Sequence, residues 1–263
     1  MLSGLKGGLI SPTALSTPIY RRSPASGLKS GMVSSGDLSS KKKEPEQQDP
    51  YFNDVILLLK GIGDNNSTAI LDSSNTNKSP NAVLGSPVIS TARSKFDSSS
   101  IYFNNGSALD YVSPDFNFLG DFTIDFWFLS NNASQIINGD TLFDCRPDGA
   151  NGNYPLVSIF TNRLTLYQNG GTQIQSSPIL VNDVFYYAGL KRVENITELW
   201  LSGSLIGSYT AGIYSFSSRI LIGGNAFRGV ATDTYFDGYF SGFRVTNNNR
   251  DLSIVPAQAF PAN

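Results

Sequence analysis

The segment Phe122-Thr123-Ile124-Asp125-Phe126-Trp127-Phe128 alternates with a period of two. Successive strand side chains point to opposite faces, so Phe122, Ile124, Phe126 and Phe128 share one wholly apolar face. Burying such side chains contributes roughly 1.5–3 kcal/mol each, enough for this strand to organise a core. Thr123, Asp125 and Trp127 make a mixed second face, expected to be half covered. One packed side and one partly wet side is the signature of an antiparallel sandwich strand.

The same reading continues along the chain. Residues 55–59 are a continuous apolar run, short enough for a buried strand. One short strand is expected within 80–90. Strands 100–103 and 108–112 flank the turn signal Asn104-Asn105-Gly106. After a short strand at 141–143, residues 154–160 and 163–167 form a hairpin around Thr161-Asn162, followed by 172–175. Residues 184–192 set Tyr186, Ala188 and Leu190 against Phe185, Tyr187 and Gly189. A hairpin at 197–201 and 205–209 turns at Ser202-Gly203, and strands at 219–222 and 238–245 complete the series. Pro256 and Pro261 discourage pairing near the end. No stretch of about twelve residues has helical periodicity, so the pattern predicts an all-β, antiparallel two-sheet sandwich.

Composition narrows the chemistry. The 263 residues carry a formal charge of -2 and only 15% charged side chains, so nothing points to nucleic acid. No apolar run of about 18 residues offers a membrane span. A single cysteine, Cys145, excludes an internal disulfide and a cysteine-cluster zinc site, and reads as a small structural side chain. The chain has no histidine, which removes Ser-His-Asp and Cys-His nucleophiles and imidazole metal ligands.

Residues 1–50 differ from the rest. They are rich in Ser, Gly, Pro, Leu and Lys, and through Gly36 they carry cations but no acid. Ser3-Gly4-Leu5-Lys6-Gly7-Gly8 is echoed by Ser26-Gly27-Leu28-Lys29-Ser30-Gly31, either a low-complexity coincidence or two equivalent docking elements. Such a segment buries too little apolar area to fold alone. It is expected to be an extended anchoring arm and linker that orders on a partner. Leu5, Leu9, Ile10, Ile19, Tyr20 and Leu28 would be its apolar anchors, Arg21 and Arg22 would pair with acids on the partner, and Lys6 and Lys29 belong to the same partner-binding arm. The folded domain is expected to be 51–263.

Five stretches together resemble the laminin-G-like, concanavalin-A-like jelly roll: SIYFNNGSALDYV (100–112), DFTIDFWF (121–128), VFYYAGLKRVENITELWLSGSLIG (184–207), RILIGG (219–224) and FDGYFSGFRV (236–245). Their order and spacing agree with it. The opening Asp49-Pro50-Tyr51-Phe52-Asn53-Asp54-Val55, followed by Leu57-Leu58-Leu59, is similar to domains of this kind appended to virion structural proteins of tailed bacteriophages. The chain departs from the pattern at Ser241-Gly242, where relatives often carry acids, so functions depending on those carboxylates are not expected.

The resemblance implies three kinds of site. Calcium needs six to eight oxygens; Asp144, Asp148, Asn151 and Asn153 supply candidates on one Gly-containing loop. No other cofactor is expected. A glycan surface would use aromatic faces, with Trp127, Tyr167 and Tyr187 as candidates, although core burial is the ordinary fate of such rings. Glycoside hydrolysis needs two carboxylates across a cleft; the glutamates of the folded part are only Glu194 and Glu198, which bracket a turn.

The leading expectation is therefore a non-enzymatic bacteriophage virion structural protein, a surface jelly roll held by its arm. Capsid decoration is preferred over a tail or fibre component, because no long helical or repeated shaft is present. The alternative is a glycan-binding host-attachment module, and the third reading a polysaccharide hydrolase. Expected partners are other virion proteins, host surface glycans and further copies of the chain, with no nucleic acid and no membrane. The expected location is the virion, after synthesis in the host cytoplasm.

Overall fold

The rings of Phe126 and Phe243 stack nearly parallel, with centroids 5.4 Å apart and planes 17° apart, at the middle of the protein. Phe143 meets both edge-on from the facing sheet. The computed structural model describes residues 48–134, 139–210, 214–215, 217–226 and 235–261. The chain divides into Met1–Glu44 and Pro45–Asn263, and every described residue belongs to the second unit. The arm residues Leu5, Lys6, Leu9, Ile10, Ile19, Tyr20, Arg21, Arg22, Leu28 and Lys29 thus lie outside the described residues.

In chain order the strands are β1 (Val55–Leu59), β2 (Ala82–Leu84), β3 (Val88–Ser90), β4 (Ser100–Phe103), β5 (Ala108–Val112), β6 (Phe122–Ser130), β7 (Asp140–Asp144) and β8 (Leu156–Phe160). They continue as β9 (Arg163–Gln168), β10 (Gly171–Gln175), β11 (Phe185–Val193), β12 (Ile196–Leu201), β13 (Ser204–Thr210), β14 (Arg219–Ile222) and β15 (Gly238–Thr246). The only helical element among the described residues is the 3-10 turn Phe52–Asp54. The eight-stranded sheet runs β13-β12-β11-β6-β15-β4-β3, with β1 also on β15; the seven-stranded sheet runs β10-β9-β8-β7-β14-β5-β2. All strand pairs are antiparallel. The expected two-sheet jelly-roll sandwich is what the chain forms.

The alternation reads out as predicted on the inner side. Phe122, Ile124, Phe126 and Phe128 all join the core between the sheets, as do Ala188 and Leu190 of β11. Residues 80–90 hold two short strands rather than one, parted at Gly85, whose φ of 59° lies in the left-handed region.

The outer side of β6 departs from expectation. Its second face is not half covered but closed: Asp125 is 0% and Trp127 5% exposed. The cover comes from the segment after β15. Leu252 and Phe260 form a second cluster with Val55, Leu58, Trp127 and Tyr187. Two glycines admit it. A Cβ on Gly189 would stand 2.7 Å from Leu252, and one on Gly242, which has a φ of +105°, 3.1 Å from the Phe260 ring. The Ser241-Gly242 departure is therefore a packing feature. Ser241 Oγ accepts the Lys95 and Phe96 amides, and Gly242 makes room for Phe260.

Beneath this cover lies a charge network. Arg244 donates to both carboxylate oxygens of Asp125, at 3.0 and 2.7 Å, and to Asp49 at 3.0 Å. Arg250 donates to both oxygens of Asp49, at 2.9 and 2.7 Å, and Tyr187 Oη donates to Asp125 at 2.9 Å. Two acids meet two guanidinium groups, so the network is neutral. Asp49, expected in a solvated linker, is instead buried within the body. Burial works to raise its pKa, but the bond from Arg250, the Tyr51 amide and the two arginine charges hold it below the usual carboxylate value.

Removing one member of a buried pair strands its partner's charge, at a cost of about 3–5 kcal/mol. Arg244→Met should lower the unfolding free energy by about that much, seen as a lower urea midpoint at unchanged slope. Adding Asp125→Asn to it should recover part of the loss.

Candidate binding groove

The hairpin β8–β9 turns at Thr161 and Asn162, with φ of 46° and 54°. Two successive left-handed residues match the twist of a two-residue hairpin. The turn sets Leu156 opposite Tyr167, Ser158 opposite Thr165 and Phe160 opposite Arg163. Val157, Ile159, Leu164 and Leu166 face the core, so Leu156, Ser158, Phe160, Thr165 and Tyr167 present the outer face of the seven-stranded sheet. Thr141 of β7 pairs with Ser158 and extends that face.

These residues line a cavity of about 300 Å³, closed by Arg146, Asn151, Thr172, Asn225 and Gly139. The floor is a row of hydroxyls: Thr141, Ser158 and Thr165. The walls are rings, Tyr167 and Phe160, the latter 40% exposed. The polar end is fixed by Arg146. Its guanidinium donates to both oxygens of Asp144 (2.8–3.1 Å), to Asn225 Oδ1 (2.8 Å) and to Asn151 Oδ1 (3.3 Å). Asp144 also accepts the amides of Arg146 and Ala226. Asn225 Nδ2 reaches Thr141 Oγ1 at 3.3 Å. Arg146 and Asn225 are thus held before any ligand arrives, and the buried Asp144 offsets the charge of Arg146.

The residues singled out from sequence separate here. Tyr167 and Asn151 line the groove. Trp127 and Tyr187 sit on the opposite sheet, ring centroids 5.5 Å apart, sealed under Leu252 and Phe260. Of the calcium candidates, Asp144 is taken by Arg146 and Asp148 by Arg219, so a cation in that loop would first have to displace a guanidinium. Asn153 contributes its carbonyl to the Ser215 amide. Among the described residues no three acids, histidines or cysteines converge on a metal position. Glu198 accepts from Trp200 Nε1 and pairs with Lys191, and Glu194 is exposed at the β11–β12 turn. Cys145 is buried, its thiol pushed well up by burial and by the charge of Asp144.

Sequence reasoning missed Arg146, Asn225, Ser158 and Thr165. The polar interruptions at Ser158 and Thr165, set in phase within apolar strands, were the available signal. Arg146 and Asn225 meet across 79 residues, and no local pattern marks that pairing.

No family model matches this chain, and no curated protein matches it. Solved structures do. The binding domain of botulinum neurotoxin serotype D/C superposes with a TM-score of 0.57 at 16% identity, over 77% of this chain and 50% of that one. The botulinum neurotoxin D/C binding domain in complex with rat synaptotagmin II gives 0.57 at 15%, over the same shares. A structure of botulinum neurotoxin type C, whose cell entry is described as dependent on interaction with two ganglioside molecules, gives 0.54 at 14%, again over 77% and 50%. At this identity the likeness establishes the β-sandwich alone, and the chain spans about half the length of these structures.

At the start of β7, between the groove residues Gly139 and Thr141, Asp140 is buried at the sheet rim. Burial pushes its carboxyl up to about 7; the charge of Asp237 adds to this, and a bond from the Asp237 amide opposes it. Unfolded, the group ionises near 3.8. Between about pH 4 and 7 the unfolded chain loses this proton while the folded one keeps it, so this contribution to stability falls as the pH rises. In chelator-treated buffer the stability advantage of Asp140→Asn over wild type should therefore grow from pH 4 to 7, read from urea midpoints.

Proposed function

We propose that the protein is a non-catalytic glycan-binding module, with the groove on the seven-stranded sheet as its site. The observation that carries this reading is the groove's composition. A ring wall at Tyr167 and Phe160 stands over a hydroxyl floor, with an amide and guanidinium end fixed in advance. Aromatic faces suit the apolar side of a sugar ring, and oriented donors and acceptors suit its hydroxyls. Small-molecule sites combine an apolar lining with a few placed polar groups in this way, and 300 Å³ is the lower end of their range, fitting one or two sugar units. The fold likeness to receptor-binding domains supports the class of function without assigning a ligand.

Two features support the absence of catalysis. None of the described residues lining the groove is a carboxylate, whereas glycoside hydrolysis uses two. Asp144, behind the polar end of the groove, is bound on both oxygens by Arg146. The pairing of Arg146 with Asp144 also favours neutral sugars, since no unbalanced cation is on offer for a sialic or uronic carboxylate.

A virion location is compatible with this reading and rests on sequence alone, on the phage-like opening at 49–59 and the arm-like composition of residues 1–50. In that setting the domain would present the groove toward the host, and deletion of residues 1–44, which keeps Asp49 in the body, would release it from particles while leaving glycan binding intact.

A glycan array followed by calorimetry tests the proposal. Neutral glycans should bind, and Tyr167→Ala should weaken the best of them about tenfold or more, equivalent to about 1.4 kcal/mol. Trp127→Phe, on the sealed face, should leave affinity unchanged. Binding to no glycan at millimolar concentration, or binding indifferent to Tyr167, would overturn it.

A further inference from the structure

The buried arginines among the described residues face carboxylates, with one exception. Arg146 pairs with Asp144, Arg244 with Asp125 and Arg250 with Asp49. Arg192 is 2% exposed and forms no ion pair among the described residues. It follows Ala188 and Leu190 on the inner face of β11, between Phe122 at the start of β6 and Thr197 near the start of β12. Among the described residues its guanidinium makes one hydrogen bond, from Nε to the Glu194 carbonyl at 2.8 Å, and Nη1 is buried without a partner. The Tyr214 ring covers it, with the ring centroid 5.1 Å from Cζ. The Glu194 side chain is exposed, and Asp121, next to Phe122, accepts the Glu194 amide at 2.7 Å.

Three hydroxyls gather at the same ring. Thr197 Oγ1 and Tyr214 Oη are 2.9 Å apart, and Tyr214 Oη and Tyr209 Oη 3.4 Å. Burial raises the pKa of both phenols, so both keep their protons. Three protons then serve two contacts, and one of them has no acceptor within the trio. Tyr209, near the end of β13, is half-buried and connects the trio to solvent. The cluster therefore holds a surplus positive charge and a surplus donor, and it lacks an acceptor for either. A ring face replaces only part of a guanidinium's hydration, and an unpaired charge is strongly disfavoured in a protein interior. An anion supplies what is missing.

We infer that this end of the sandwich binds one small carboxylate, held by the guanidinium of Arg192 and the hydroxyl of Tyr209. The two oxygens of a carboxylate match the planar edge of a guanidinium. One negative charge balances one positive charge, whereas a phosphate, with close to two at neutral pH, would bury a surplus. The site lies on the inner face of the eight-stranded sheet and the groove on the outer face of the other, so the inference is independent of the groove reading. A ligand of acetate size reaches a dissociation constant on the order of 1 mM.

The test uses the full chain in Tris chloride at pH 7.5, titrated at constant ionic strength with sodium acetate and, separately, with sodium phosphate, by calorimetry and thermal melting. Wild type should bind one acetate saturably, and its melting temperature should rise with acetate. Arg192→Met, which removes the charge and keeps an apolar stem, should lose the acetate response. Tyr209→Phe, which keeps the ring and removes the donor, should weaken acetate binding about tenfold and serves in its place if Arg192→Met does not fold. Arg93→Ala, which removes an exposed cation elsewhere, should bind acetate as wild type does. No saturable heat up to about 100 mM acetate would overturn the inference. So would undiminished affinity in Arg192→Met or Tyr209→Phe, or tighter binding of phosphate than of acetate.

Discussion

The structure depends on the pairing of Arg244 with Asp125 and Asp49. Asp125 sits near the middle of β6, the longest of the strands buried at every position, on the face turned away from the core between the sheets. A carboxylate there is tolerable only with a cation and further donors, which Arg244 and Tyr187 supply. Arg244 in turn needs Asp49, and Asp49 draws in Arg250. One buried acid on the central strand thereby fixes where the chain enters the body, how the last strand is registered, and where the segment after it runs. The rings complete the seal, with Phe260 over Arg244 at 4.1 Å and Tyr51 under Arg250 at 5.2 Å.

That seal assigns the two sheets different tasks. The centre of the eight-stranded sheet's outer face is occupied by the protein's own chain, and with it go Trp127 and Tyr187 as ligand contacts. The seven-stranded sheet keeps its outer face open over β7, β8 and β9, where hydroxyls replace apolar side chains at alternate positions. The loop after β7 supplies Arg146, already locked by Asp144, so the polar end of the groove loses little freedom on binding a ligand. Rigidity on one face and an open, ordered groove on the other follow from the same economy of buried charge.

The fold was legible because strand alternation is local. Phe122 to Phe128, the β11 pattern and the Thr161-Asn162 turn each fix a face or a register within a few residues. The closed second face of β6 was not legible, since its cover is an irregular segment containing Pro256 and a single acid, Asp49, neither of which carries a period. For the groove, Tyr167 was visible as an aromatic in a strand, but its neighbours Arg146 and Asn225 were not, because their meeting is a product of β7 and β14 lying side by side. The same reason hid Asp140, whose charged neighbour Asp237 arrives just before β15. The Asp144 loop drew attention as a calcium candidate on residue type alone, and sequence could not show that arginines already hold its acids.

The central proposal is that the groove is the face that meets ligand. The direct measurement is amide chemical-shift mapping of the isotope-labelled protein with the tightest neutral oligosaccharide from an array. Shifts are predicted at Ser158, Thr165, Tyr167, Arg146 and Asn225. Shifts confined to Trp127, Tyr187, Leu252 and their neighbours, with the groove silent, would contradict it.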